Sequence, residues 1–126
     1  MPTRVLLSLK PRFAEAILDG EKTFEFRRAL FRSLDVETVV LYASSPVCMV
    51  LGEFDLEEVI TLELDELWNT TKHGGGIDRE YFDEYFDGRD SGHALKVSRP
   101  LRYASPMCLR EDFGLARPPQ SFQYLE

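Results

Sequence analysis

The chain has 126 residues, 44% apolar and 29% charged, with a formal net charge of −7. That length and mixture predict a single domain over residues 1–126 with an ordinary core, and exclude a disordered chain. Two cysteines exclude a disulfide framework and point to a reducing cytoplasm, apolar runs of at most five residues exclude a membrane span, and the acidic balance disfavours coating of long nucleic acid.

Arg4–Leu9, rich in Leu and Val, predicts a first strand. Pro11 then suits a first helical position, Phe13, Ala14, Ile17 and Leu18 recur at helical spacing, and Gly20 is the stop, so Pro11–Asp19 reads as a short amphipathic helix. In Lys22–Arg28 the period changes to two, with Phe24 and Phe26 on one face and Thr23, Glu25 and Arg27 on the other, as in a half-buried strand. Val39–Ala43 and Val47–Leu51 predict central strands joined by Ser44-Ser45-Pro46. Gly52 suggests a bulge, with the strand continuing over Glu53–Thr61 before a helix at Leu64–Thr71.

Three glycines in Lys72–Gly76 read as a flexible connector. Asp78 is a good N-cap, Ile77 and Phe82 occupy hydrophobic-staple positions, and the stripe Tyr81, Phe82, Tyr85, Phe86 reads as core rather than a stacking platform; Gly88 ends the helix. Ala94–Ser98 and Leu101–Tyr103 are late strand pieces split by Arg99-Pro100. Short strands with segregated short helices predict an α+β fold with a curled, partly closed sheet.

Charge is unevenly placed. Residues 1–33 hold seven Lys or Arg against four acids, a local +3, which leaves −10 for residues 34–126 out of the total of −7. A small basic face on an acidic body attracts a short anionic ligand or one nucleotide and repels extended duplex. His73, His93, Cys48 and Cys108 lack the paired spacing of a zinc site, and neither a nucleophile elbow nor a phosphate loop is present, so the sequence implies no metal and no cofactor. The informative segment is Gly20–Arg27. Glu25 and Arg27 share a strand face, with Lys22 beside them: a rigid fork, a point charge and an acceptor suited to a polar planar ligand, or else a simple ion pair along the strand.

Gly20-x-Lys22-x-x-Glu25-x-Arg27 resembles the G-x-K-x-x-E-x-R signature of the ASCH domain, within the PUA-like superfamily. Tyr42-Ala43-Ser44-Ser45-Pro46, Gly52-Glu53-Phe54, Glu66-Leu67-Trp68, Tyr85-Phe86 and Pro118-Pro119-Gln120-Ser121-Phe122 are similar to segments of small stand-alone members. The resemblance implies a PUA-like curled β-barrel sheet with short peripheral helices and a cleft holding the signature residues. It implies as partner single-stranded RNA or a nucleotide derivative such as a modified nucleoside, in RNA metabolism or transcription regulation, with ligand-binding residues Lys22, Glu25, Arg27 and Gln120. It leaves any protein partner unnamed.

The same family resemblance holds an enzymatic alternative, a small hydrolase of the N4-acetylcytidine amidohydrolase or ribonuclease type. Lys22 matches the catalytic lysine of the amidohydrolases, but their hydroxyl residue three positions later is Glu25 here, and Thr23 is not at the matching place. Glu25 or Glu53 would then have to activate water. In Pro118–Phe122 the two prolines fix an extended backbone; Phe122 and Tyr124 suit a plug for one end of the sheet, while Gln120 and Ser121 suit the border of the cleft.

Overall fold

The computed structural model describes residues 3–125. Six strands, β1 (Arg4–Leu9), β2 (Phe24–Arg27), β3 (Thr38–Ala43), β4 (Met49–Glu63), β5 (Ser91–Met107) and β6 (Phe122–Leu125), form one mixed sheet in the order β2-β5-β4-β3-β1-β6. Only β1 and β3 run parallel. Between them the chain passes through α1 (Pro11–Leu18) and β2, and α2 (Leu64–Thr71), α3 (Arg79–Tyr85) and α4 (Leu109–Phe113) complete the set of four short helices. This is the α+β arrangement the alternating periods predict.

Local signals act as expected at most element ends. Pro11 opens α1, and Gly20 follows it at φ +82°, a left-handed conformation that is cheap without a Cβ. The Asp78 side chain accepts a hydrogen bond from the Tyr81 amide at 2.8 Å, which caps α3. Register shifts along β4, one of them at Gly52, confirm the expected bulge, and the strand runs unbroken to Glu63.

Arg99-Pro100 does not split the last strands. β5 is one strand of 17 residues. Its ladder to β4 passes from Asp55–Ser98 to Glu53–Leu101, so β5 carries one extra residue there. That bulge takes Pro100, which has no N–H, out of the regular pairing, with Arg99 at φ +46°. The sequence also gave no sign of α4. It is five residues long with only Leu109 buried, too short for a helical period to repeat.

Three apolar clusters hold the sheet. Val5, Leu7, Val39, Leu41 and Phe54 lie in the main one, which receives α1 through Ala14 and Ile17. Leu6, Val40, Tyr42 and Val50, at the alternate positions, meet Leu109 of α4. Phe24 and Phe26 of β2 pack with Leu67 of α2 and Phe82 and Phe86 of α3. The Phe82 and Phe86 rings meet edge-on at 4.8 Å, and burying each contributes about 1.5–3 kcal/mol.

The main-chain ladder does not close. β2 and β6 remain its two edges, so the expected barrel is an open mixed sheet. Contacts made by side chains bridge the seam: Arg27 donates to Ser121 Oγ, the Phe31 and Phe122 rings meet at 5.8 Å, and Tyr124 Oη accepts from the amides of Arg32 and Ser33 at 2.8 and 2.9 Å. The prolines at 118 and 119 precede β6 and leave its donors free to pair with β1.

Candidate functional site

Where the ladder stays open, a cavity of about 130 Å³ lies between β1, β2, α1 and α3. Lys22, Glu25 and Arg27 form its floor, and Phe13, Phe26, Tyr81 and Tyr85 are among its walls. All four residues of β2 are buried, so the strand is not half-exposed as its alternation suggested. The helices α2 and α3 cover Phe24 and Phe26, while the seam shelters Glu25 and Arg27.

Burial sets the electrostatics. Lys22 is 2% exposed, Glu25 5% and Arg27 8%. Lys22 Nζ lies 3.8 Å from Glu25 Oε1, and Arg27 Nη1 lies 3.6 Å from Glu25 Oε2. Both separations exceed hydrogen-bond length, so the carboxylate keeps acceptor capacity toward the cavity it lines. Desolvation holds the Lys22 amine below its ordinary range and pushes the Glu25 carboxyl above its own, against the opposing pull of Glu25 on Lys22 and of Lys22 and Arg27 on Glu25. Two titratable groups are thus drawn toward neutrality side by side.

The Lys22 amine is seated by the glycine loop. Its Nζ donates to the Gly75 carbonyl, and the rings of Phe13 and Phe26 lie 5.2 and 5.0 Å from it. The loop is therefore a cradle and not a flexible connector. The Gly74 carbonyl accepts the amides of Thr23 and Phe24 at 2.8 and 3.2 Å. A Cβ on Gly75 would stand 2.9 Å from the Phe26 ring, so only glycine lets this backbone approach.

The structure brings together three of the sequence candidates and separates two others. Gln120 is exposed and lines a second, outer cavity of about 340 Å³ with Arg27 and Ser121; it does not reach the inner floor. Glu53 lies elsewhere. It pairs across the ladder with Val40, on the face that meets α4, and accepts from Tyr103 Oη at 2.8 Å. The Thr23 hydroxyl is also turned away, donating to the Gly74 carbonyl at 3.4 Å.

Sequence reasoning missed Ser8, Gly75, Tyr85 and Arg89. Each reaches the site from another segment, and no local spacing marks it. The aromatic stripe divides: Phe82 and Phe86 are core, whereas Tyr81 and Tyr85 line the cavity, and Tyr85 Oη donates to the Phe26 carbonyl at 3.1 Å. A larger open groove of about 1090 Å³ runs beside Leu101–Met107 and β6, but contains none of the signature residues. Among the described residues no group of three or more His, Cys, Asp or Glu converges to hold a metal ion, and no helix is long and apolar enough to cross a membrane.

Comparison with known proteins bears on the family and the fold. The ASCH domain family model matches residues 7–99. The ASCH domain-containing ribonuclease of Zymomonas mobilis is 31% identical over 122 residues, covering 95% of this chain and 82% of that protein. Large ribosomal subunit protein uL22 of Ureaplasma parvum is 31% identical over 123 residues, 97% of this chain, but the chain spans only 39% of that protein's length. The crystal structure of ASCH from Zymomonas mobilis superposes with a TM-score of 0.90 at 29% identity, covering 98% of this chain and 88% of that one. With Lys22, Glu25 and Arg27 of its signature lining one cavity, and with this family match and relative, the chain belongs to the ASCH domain family.

Proposed function

We propose that the chain binds single-stranded RNA, or a nucleoside derivative of it, by seating one base in the inner cavity. The observation that carries this reading is the buried Glu25 carboxylate, with open acceptors at the floor of a cavity walled by aromatic rings. Glu25 accepts from amino or imino groups of a base edge, Lys22 and Arg27 hold a carbonyl or phosphate, and the rings stack on the base faces. Gln120 borders the outer cavity and meets the part of the ligand that protrudes. RNA metabolism or transcription regulation is the corresponding setting. In a binding titration with single-stranded RNA, Arg27→Gln weakens affinity at least tenfold, about 1.4 kcal/mol, in a protein that still folds. Unchanged affinity in folded Arg27→Gln would refute it.

One observation favours a second reading, that of a hydrolase. The Zymomonas ribonuclease shares 31% identity with this chain over most of its length. Lys22 and Glu25, both pushed toward neutrality by burial, are then the pair that exchanges a proton or stabilises developing charge. Glu53, on the α4 face, is too poorly placed to serve as base. Incubation of the protein and its Lys22→Met variant with single-stranded RNA and with N4-acetylcytidine separates the readings. Turnover by the parent and not by Lys22→Met supports an enzyme; binding without turnover supports the binding module.

A further inference from the structure

The inner and outer cavities share Ser8, Arg27 and Tyr85, so a ligand seated in one emerges into the other. The outer cavity is lined by Arg27, Arg28 and Arg89 and by no carboxylate. Arg27 donates to Ser121, faces Glu25 and lines the inner cavity as well, whereas Arg28 and Arg89 are exposed and line only the outer one, and among the described residues no acid pairs with either. Both are nonetheless held in place. The Arg28 guanidinium lies over the Tyr85 ring at 4.9 Å, and Arg89 Nη1 donates to the Arg28 carbonyl at 3.0 Å, which leaves its other nitrogens free. The positive charge of Arg89 also reaches His93, whose imidazole it helps hold below the usual range after burial. Through Phe13, Ile77 and Tyr81, none of which lines the outer cavity, the inner cavity adjoins a groove of about 530 Å³ that carries Asp78, Glu80 and Glu84 against Arg12. One flank therefore attracts an anion and the other repels it.

Resting on the reading of the inner cavity as a base pocket, we infer that Arg28 and Arg89 form a subsite for the phosphodiester flanking the inserted nucleotide. The strand leaves the pocket over Tyr85 and past Gln120, on the arginine side, and away from the acidic groove. The ligand is then a polynucleotide and not a free base. Two planar guanidiniums suit phosphate oxygens, and Ser8 and Gln120 add neutral hydrogen-bonding groups around them.

Fluorescence anisotropy with a labelled ten-nucleotide RNA of mixed sequence, at several salt concentrations, tests this. Arg28→Gln and Arg89→Gln each weaken binding, and the double variant is at least tenfold weaker at about 100 mM salt. Its log–log salt slope is shallower by about 1.4, since each phosphate contact on a single strand contributes about 0.7. Arg99→Gln, at the distant β5 bulge and paired with Asp55, keeps parental affinity and slope. Thermal melts confirm that the exposed-residue variants fold. Parental affinity and slope in the double variant, while Arg27→Gln loses binding, overturns the subsite and leaves the base pocket standing. No binding of the RNA by the parent protein overturns both.

Discussion

At the residue scale, Glu25 is the group whose state the environment decides. Its carboxyl is buried, and desolvation raises its pKa above the ordinary value of 4.5. A raised folded-state pKa means that the folded protein takes up the proton more readily than the unfolded chain. The stabilising contribution is full below about pH 4.5 and is lost as pH rises through the higher folded value. Lys22 works in the opposite window: with its pKa lowered from 10.5, the cost of its buried charge is full below the folded value and relieved as pH rises toward 10.5. Melts of the parent and of Glu25→Gln across pH 4.5 to 7 therefore give a parent whose relative stability falls as pH rises. A relative stability that climbs with pH would instead make Glu25 a charged, fully compensated partner of Lys22 and Arg27. Lys22 and Glu25 were legible in the sequence because their spacing is local. Their burial was not, since it depends on Gly75 and on α3, some fifty residues or more away in the chain.

At the scale of elements, the glycine loop and the C-terminal strand hold the seam from its two sides. Gly75→Ala puts a methyl group against the Phe26 ring at 2.9 Å, so either the ring or the loop must shift. The expected cost is about 1–3 kcal/mol in urea denaturation, together with weaker RNA binding as Lys22 loses its seat. A flexible connector would absorb the same change with almost no loss of stability. On the other side, Phe122 is partly buried, edge-on to Phe31 and Tyr124 at 5.8 and 5.9 Å. Phe122→Ala is expected to cost about 2 kcal/mol, below the ~3–5 kcal/mol of a fully buried phenylalanine. Exposed Gln120→Ala should leave stability within about 0.5 kcal/mol while weakening RNA binding. Thermal melts and a binding titration on these two variants separate the structural half of the segment from its cleft-lining half.

For the whole molecule, the proposed RNA binding meets an acidic body whose basic side chains gather around one pair of cavities. The net charge is −7, yet Lys10, Arg27 and Arg28 from the N-terminal third, joined by Arg89, line the inner and outer cavities. On the proposed reading, the cavity of about 130 Å³ takes an unpaired base and not a base pair. Affinity for a single strand should thus exceed that for a duplex of the same sequence at least tenfold in a competition experiment at constant salt. Equal competition by duplex would place binding on the surface and outside the cavity. The seam itself is a property of the whole sheet. Strand order puts β2 and β6 at opposite ends of the ladder, and its curvature brings Arg27 to Ser121 across 94 positions of sequence.

The sequence by itself determined what depends on neighbours along the chain. The α2 boundaries, the Asp78 cap, the Gly20 stop and the grouping of Lys22, Glu25 and Arg27 all follow from spacing within a few residues. Only the tertiary structure decided that β5 bends through Arg99-Pro100 unbroken, that the ladder stays open, and that Glu53 lies on the α4 face while Gly75 and Tyr85 join the site. The physical reason is common to these cases. A bulge, an unclosed edge or a buried charge is settled by partners distant in sequence, whose approach depends on sheet twist and packing that local periodicity does not encode.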